Sequence, residues 1–88
     1  MQSTKKRTTI ELYKCPCCGQ YTLEEDYEDS YEICSVCGWE REYAYELEPD
    51  NPEAGSSNGW MSLNEAREYW KNNHKRLTYE MKHRDPGA

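Results

Sequence analysis

The 88 residues predict a small α+β domain in which short β-hairpins grow from two cysteine turns and a C-terminal helix packs on them. Three observations predict it. Cysteines pair twice at the same spacing, Cys15 with Cys18 and Cys34 with Cys37, and each pair is followed by glycine. Short β-rich stretches flank both turns. A capped amphipathic stretch begins near residue 62.

The hairpins come first. Residues 8–14 (Thr-Thr-Ile-Glu-Leu-Tyr-Lys) are β-rich and read as a first strand. Residues 20–23 read as the strand leaving the first turn, and the acidic run 24–30 as a hairpin connection. Tyr31-Glu32-Ile33 leads back into the second turn. Over residues 39–48, Trp39, Arg41, Tyr43, Tyr45 and Leu47 alternate with Glu40, Glu42, Ala44, Glu46 and Glu48. A period of two predicts a strand with one buried face. Pro49-Asp50-Asn51-Pro52 ends it, and a Gly/Ser/Asn loop covers residues 54–59.

The helix follows from Ser62-Leu63-Asn64-Glu65, a capping box. Leu63, Ala66, Trp70, Leu77 and Met81 then form one apolar stripe across about residues 62–82. Either the helix is continuous or Asn72-Asn73 ends a first segment, since Asn tolerates the left-handed cap conformation. The organisation is therefore a flexible basic arm at 1–7, one domain at 8–84 and a tail at 85–88.

A domain of this kind needs a staple. Apolar residues make up 35% of the chain, Phe is absent and the mean hydropathy is −1.23. So polar a chain buries too little for a self-sufficient core. No apolar run follows the basic opening Met1-Gln2-Ser3-Thr4-Lys5-Lys6-Arg7, which predicts a cytoplasmic chain without a secretory signal. No stretch has the roughly 20 apolar residues of a membrane span. Five cysteines, an odd number, in a reducing compartment point to metal ligation rather than disulfides.

The pattern Cys15-x2-Cys18-x15-Cys34-x2-Cys37 has a physical logic. Two intervening residues let the chain turn so that both sulfurs face one point about 2.3 Å away. Gly19 and Gly38 supply a positive φ and free the local amides to aim at sulfur. Cys15, Cys18, Cys34 and Cys37 are thus the expected ligands of one Zn2+ ion. Iron is the alternative, because four thiolates in a tetrahedron suit both. Four protein ligands leave no open position, so the ion is structural. Cys17 does not match the second turn and is expected to point outward, unliganded. The turns also resemble rubredoxin knuckles, which makes the expected fold zinc-ribbon or rubredoxin-like.

Cys15-Pro16-Cys17-Cys18-Gly19, Tyr21-Thr22-Leu23 and Tyr31-Glu32-Ile33-Cys34-Ser35-Val36-Cys37-Gly38-Trp39-Glu40 together resemble the bacterial cysteine-rich CPCC family. Asn58-Gly59 followed by Ser62-Leu63-Asn64-Glu65-Ala66-Arg67 resembles that family's second block. Ser35 stands where members commonly have proline, and Arg41-Glu42-Tyr43 where aspartates tend to follow. The basic segment beyond Asn73 has no counterpart in these blocks. The resemblance implies a small bacterial cytoplasmic protein with a metal ribbon and no assigned enzyme activity. Members sit near polymorphic toxin genes, which implies an immunity role.

Charge bears on the partner. Residues 10–53 carry thirteen acidic and two basic side chains, a net of −11. The first nine residues carry +3, and residues 54–88 carry +2. Four thiolates on a divalent ion add about two negative charges to the acidic end. That surface repels phosphate backbones, which argues against nucleic acid. A basic protein surface suits it, most concretely that of a bacterial toxin domain. Glu24, Glu25, Asp26, Asp29, Glu40 and Glu42 would steer the encounter, and exposed members of Tyr27, Tyr31, Tyr43, Tyr45 and Trp60 would anchor it. His74 and His83 sit in a basic helical setting and read as solvated. No phosphate loop, nucleophile elbow or metalloprotease signature is present, so no enzyme is expected. Two other readings are a rubredoxin-like iron electron carrier and a ribbon subunit of a larger complex.

Overall fold

The computed structural model describes residues 11–84. The basic arm 1–7 and the tail 85–88 lie outside them. Two strands, β1 (Tyr13–Lys14) and β2 (Tyr21–Leu23), are followed by three helices. These are α1 (Tyr43–Leu47), α2 (Leu63–Asn73) and α3 (Tyr79–His83). The result is a small α+β fold, consistent with a zinc-ribbon-like domain.

β1 and β2 pair antiparallel, Tyr13 opposite Leu23 and Lys14 opposite Tyr21, with a register irregularity between Tyr13 and Lys14. The first cysteine turn joins them. A second, shorter hairpin repeats the device, with Ile33 bridged antiparallel to Glu40 around the second turn. The two turns are closed alike. Cys15 N–H donates to Gln20 O at 2.8 Å, and Cys34 N–H to Trp39 O at 2.9 Å. Gly19 N–H reaches Cys15 O at 3.0 Å, and Gly38 N–H reaches Cys34 O at 2.9 Å.

The alternating stretch does not form the expected strand. Pairing stops after Arg41, whose N–H donates to Glu32 O and whose carbonyl accepts from Tyr31. Tyr31, opposite Arg41, has φ 57° and leaves extended geometry. With no ladder to join, Glu42 (φ −135°, ψ 123°) turns the chain into α1. Asp29 Oδ1 accepts the Tyr43 amide at 2.8 Å, satisfying a first-turn donor that a helix leaves orphaned. Arg41 braces the same turn through Glu46 at 2.9 Å. The supposed buried face splits accordingly. Trp39 and Tyr45 are buried, whereas Tyr43 and Leu47 are exposed.

The capping box at Ser62 is formed. Its hydroxyl accepts from Glu65 N–H at 3.1 Å, and Glu65 Oε1 accepts from Ser62 N–H at 2.8 Å. The helical stretch is broken at its midpoint. α2 stops at Asn73, and the left-handed cap is His74 (φ 52°, ψ 39°) rather than an asparagine. An irregular segment then carries Leu77 into the core, and Thr78 caps α3.

The core gathers Leu23, Trp39, Tyr45, Leu63, Ala66 and Leu77 around the buried cysteines. Trp39 meets Tyr45 edge to face with centroids 5.0 Å apart. Asn58, fully buried, ties the layers together. Its Oδ1 accepts from Glu40 N–H at 3.0 Å, its Nδ2 donates to Glu40 O at 2.8 Å, and its own N–H reaches the Tyr45 hydroxyl at 3.1 Å. No helix among the described residues is long and apolar enough to cross a membrane.

Candidate metal centre

Each cysteine turn is a knuckle whose geometry follows from its glycine. Gly19 at φ 81° and Gly38 at φ 85° adopt a conformation that side chains strain to reach. The chain then folds back so that amides point at sulfur. Cys17 N–H lies 3.4 Å from Cys15 Sγ, and the Val36 and Cys37 N–H groups lie 3.3 and 3.4 Å from Cys34 Sγ. The Thr22 hydroxyl, on β2, sits 3.0 Å from Cys34 Sγ, where it donates to a thiolate.

The hairpins bring the knuckles face to face. The sulfurs of Cys15, Cys18, Cys34 and Cys37 all lie within 4.8 Å of one another. Across the knuckles, Cys15 and Cys37 are 3.6 Å apart, and Cys18 and Cys34 are 3.7 Å apart. A tetrahedron of four sulfurs at 2.3 Å from one ion has edges of ~3.8 Å. The donor set therefore fits one tetrahedrally bound metal ion, and all five cysteines are free of disulfides.

Charge makes the same demand. Hydrogen bonds from Cys15 and Cys37, joined by the Thr22 hydroxyl, push the Cys34 thiol far below the ordinary range. Its bond to Cys34 pushes Cys15 far above that range, and burial adds to the effect. Four thiolates held this close would repel one another. A divalent cation at their centre is what lets all four become thiolates.

Cys17 lies outside the group of four, as expected, but it does not point outward. It is 8% exposed. α2 is fastened to this turn by Arg67 Nε donating to Pro16 O at 2.9 Å.

The second knuckle is covered more fully, by residues the sequence motifs did not single out. Arg76 Nη1 donates to Cys34 O at 3.1 Å and to Ser35 O at 2.8 Å. Leu77 N–H donates to Cys37 O at 2.7 Å, and Lys82 Nζ to Gly38 O at 2.8 Å. Lys82 is 5% exposed, and its other partner is Asn58 Oδ1 at 3.1 Å. Burial pushes its ammonium below the ordinary lysine value, against the opposing pull of Glu40. The signal available in the sequence was the basic character of residues 74–84, which reads equally well as a solvated face.

The proposed partner residues are dispersed. Glu24, Glu25, Asp26 and Tyr27 are exposed on the connection after β2, and Tyr31 is exposed at its end. Asp29 is exposed but is spent on the N-terminus of α1. Glu42 is half-buried and accepts from Ser56 N–H, Ser57 N–H and the Ser57 hydroxyl. Glu40 is half-buried beside Lys82, in a cavity of about 440 Å³. Tyr43 and Trp60 are exposed. Tyr45, at 0% exposure, is a core residue and leaves the set of anchors.

A family model described as "Cysteine-rich CPCC" matches residues 13–83. The match includes the segment beyond Asn73, for which the short motifs offered no counterpart. No curated protein matches the chain.

Proposed function

Because this chain belongs to the cysteine-rich CPCC family, we propose that it is a zinc-bound binding module. Its task on this reading is that of a cytoplasmic immunity protein, which docks on a basic surface of a bacterial toxin domain and occludes it. The metal has a structural role, since all four positions of a tetrahedron are taken by protein. Catalysis plays no part in this reading.

One observation carries it. The connection after β2 presents Glu24, Glu25, Asp26 and Glu28 to solvent, none with a salt bridge among the described residues, beside the exposed rings of Tyr21, Tyr27 and Tyr31. Charge of one sign raises association rate, and aromatics desolvated on docking slow dissociation. The acidic members already committed within the fold, Asp29 and Glu42, contribute less to this surface.

The test captures the products of the genes neighbouring this one on a surface-plasmon-resonance chip at two salt concentrations. The triple variant Glu24→Gln/Glu25→Gln/Asp26→Asn should associate more slowly, with a flatter salt dependence and an unchanged off-rate. Association at the wild-type rate in low salt would remove this surface from the interface. Wild-type protein that binds no neighbouring toxin would end the immunity reading. Elemental analysis, and the absence of the red colour of a ferric tetrathiolate, separate zinc from the iron-carrier alternative.

A further inference from the structure

We infer that Arg76 and Lys82 are positioning residues of the metal centre: residues 74–84 close over the second knuckle, hold its backbone in the ligating turn and balance the charge of the thiolates. The inference rests on the metal-binding reading above and assigns work to a segment that reading leaves idle.

A knuckle that aims its amides at sulfur turns its carbonyls away from the metal. In the second knuckle the carbonyls of Cys34, Ser35, Cys37 and Gly38 all receive donors from this one segment. The fit leaves no slack. A Cβ at Gly38 would stand 2.5 Å from Leu77 O, and one at Gly59 would collide with Lys82 O. Trp60 N–H donates to that same Lys82 carbonyl at 2.7 Å, so the far side of the segment is fastened too.

Charge supplies an independent argument. A lysine this buried is ordinarily paired with an anion. Lys82 bonds only neutral oxygens, and the one salt bridge among the described residues is Arg41–Glu46. Arg76 likewise spends Nη1 on two carbonyls. Two cations thus stand against the backbone of a site whose four thiolates and divalent ion leave a net charge of about −2. Arg76 is exposed and Lys82 also feels the Glu40 carboxylate, so the metal centre is a further anion that both face across the knuckle backbone. Metal binding and closure of the segment therefore favour each other, and by linkage each raises the other's equilibrium constant by the same factor.

The experiment measures zinc affinity by competition with a chromophoric chelator for the full chain and four variants. Arg76→Gln and Lys82→Met should bind zinc about 10–100-fold more weakly, the usual range for groups that support metal ligands. Arg76→Lys, which keeps the charge, should recover part of the loss. Asn51→Ala removes bonds to Glu48 and Glu53 in the exposed loop after α1, so it serves as a control for stability alone and should keep wild-type affinity. Hydrogen exchange on the wild type gives a second readout, useful if Lys82→Met fails to fold. Removing zinc should deprotect the Leu77 and Trp60 amides. Wild-type affinity in both Arg76→Gln and Lys82→Met, an equal loss in Asn51→Ala, or Leu77 protection that ignores zinc would each overturn the inference while leaving the metal-binding reading intact. A wild-type chain that takes up no zinc would overturn both.

Discussion

Five cysteines of identical chemistry differ here because each sulfur has different neighbours. Cys34 receives two amides and the Thr22 hydroxyl, Cys15 receives one amide, and Cys18 is the most open of the four. Cys17 is enclosed yet stands apart from the tetrahedron. Single Cys→Ser variants should sort accordingly under metal analysis. Loss of Cys15, Cys18, Cys34 or Cys37 should abolish stoichiometric metal, and Cys17→Ser should retain one ion per chain at some cost in stability. Metal lost from Cys17→Ser but kept by Cys15→Ser would refute the ligand assignment. Tyr31 is the other telling residue. It holds φ 57°, an uncommon conformation for an aromatic residue, with half its surface exposed. Strain of this kind costs about 1–3 kcal/mol. Tyr31→Gly should therefore raise the thermal midpoint, by about 0.5–1 kcal/mol of stability once the flexibility of the unfolded glycine chain is counted. If the ring is an anchor, the same variant should dissociate faster from the toxin domain, and a lower midpoint would show that the ring packs rather than waits.

Between elements, single carboxylates do much of the fastening. Glu42 joins the start of α1 to the loop at Ser56 and Ser57. Burial alone would raise its carboxyl, but the Ser57 hydroxyl and the Ser57 and Ser56 amides together hold it below its ordinary 4.5. The native state then binds that proton less readily than the unfolded chain. The stabilisation is complete above about pH 4.5 and is lost as pH falls through the lower native value. Glu42→Gln should cost about 1–2 kcal/mol at neutral pH. The gap between variant and wild type should shrink on acidification, and a gap that is constant down to about pH 3 would show that Glu42 carries no such linkage. Acid release of metal, common to both proteins, drops out of the difference. This scale also explains what the sequence revealed. The knuckles, the β1–β2 hairpin and the capping box were legible because each is encoded within a few residues, by spacing, glycine or a Ser…Glu pair. The stretch 39–48 was not. Its alternation is real, but a strand needs an edge to pair with, and that edge ends at Tyr31 for reasons local pattern does not contain. The role of Lys82 was hidden for a similar reason, since it depends on oxygens of Gly38 and Asn58 far along the chain.

At the scale of the molecule, the metal site and the core are one body. Cys15, Cys34 and Cys37 lie in the same cluster as Trp39, Tyr45, Leu63 and Ala66. Ile33 and Val36, which might have given the ribbon an apolar core of its own, are exposed instead. Chelation should therefore erase the near-ultraviolet signal of Trp39 and Tyr45. Helical signal should fall with it, because the 11 residues of α2 are too few to stand alone once the cluster they pack on has gone. An aromatic signal that survives complete metal removal would separate folding from ligation. The closure of the second knuckle has a further consequence, for the order in which the protein is made. Its carbonyls at Cys34 and Gly38 find their side-chain donors 42 and 44 residues downstream. Synthesis delivers the N-terminal part first. All four cysteines are thus translated well before Arg76 and Lys82, and contacts of such long sequence separation are the slow ones to form. An ion taken up by the nascent chain would sit in an open grip, exchangeable with its surroundings, until the last basic turn arrives to shut it.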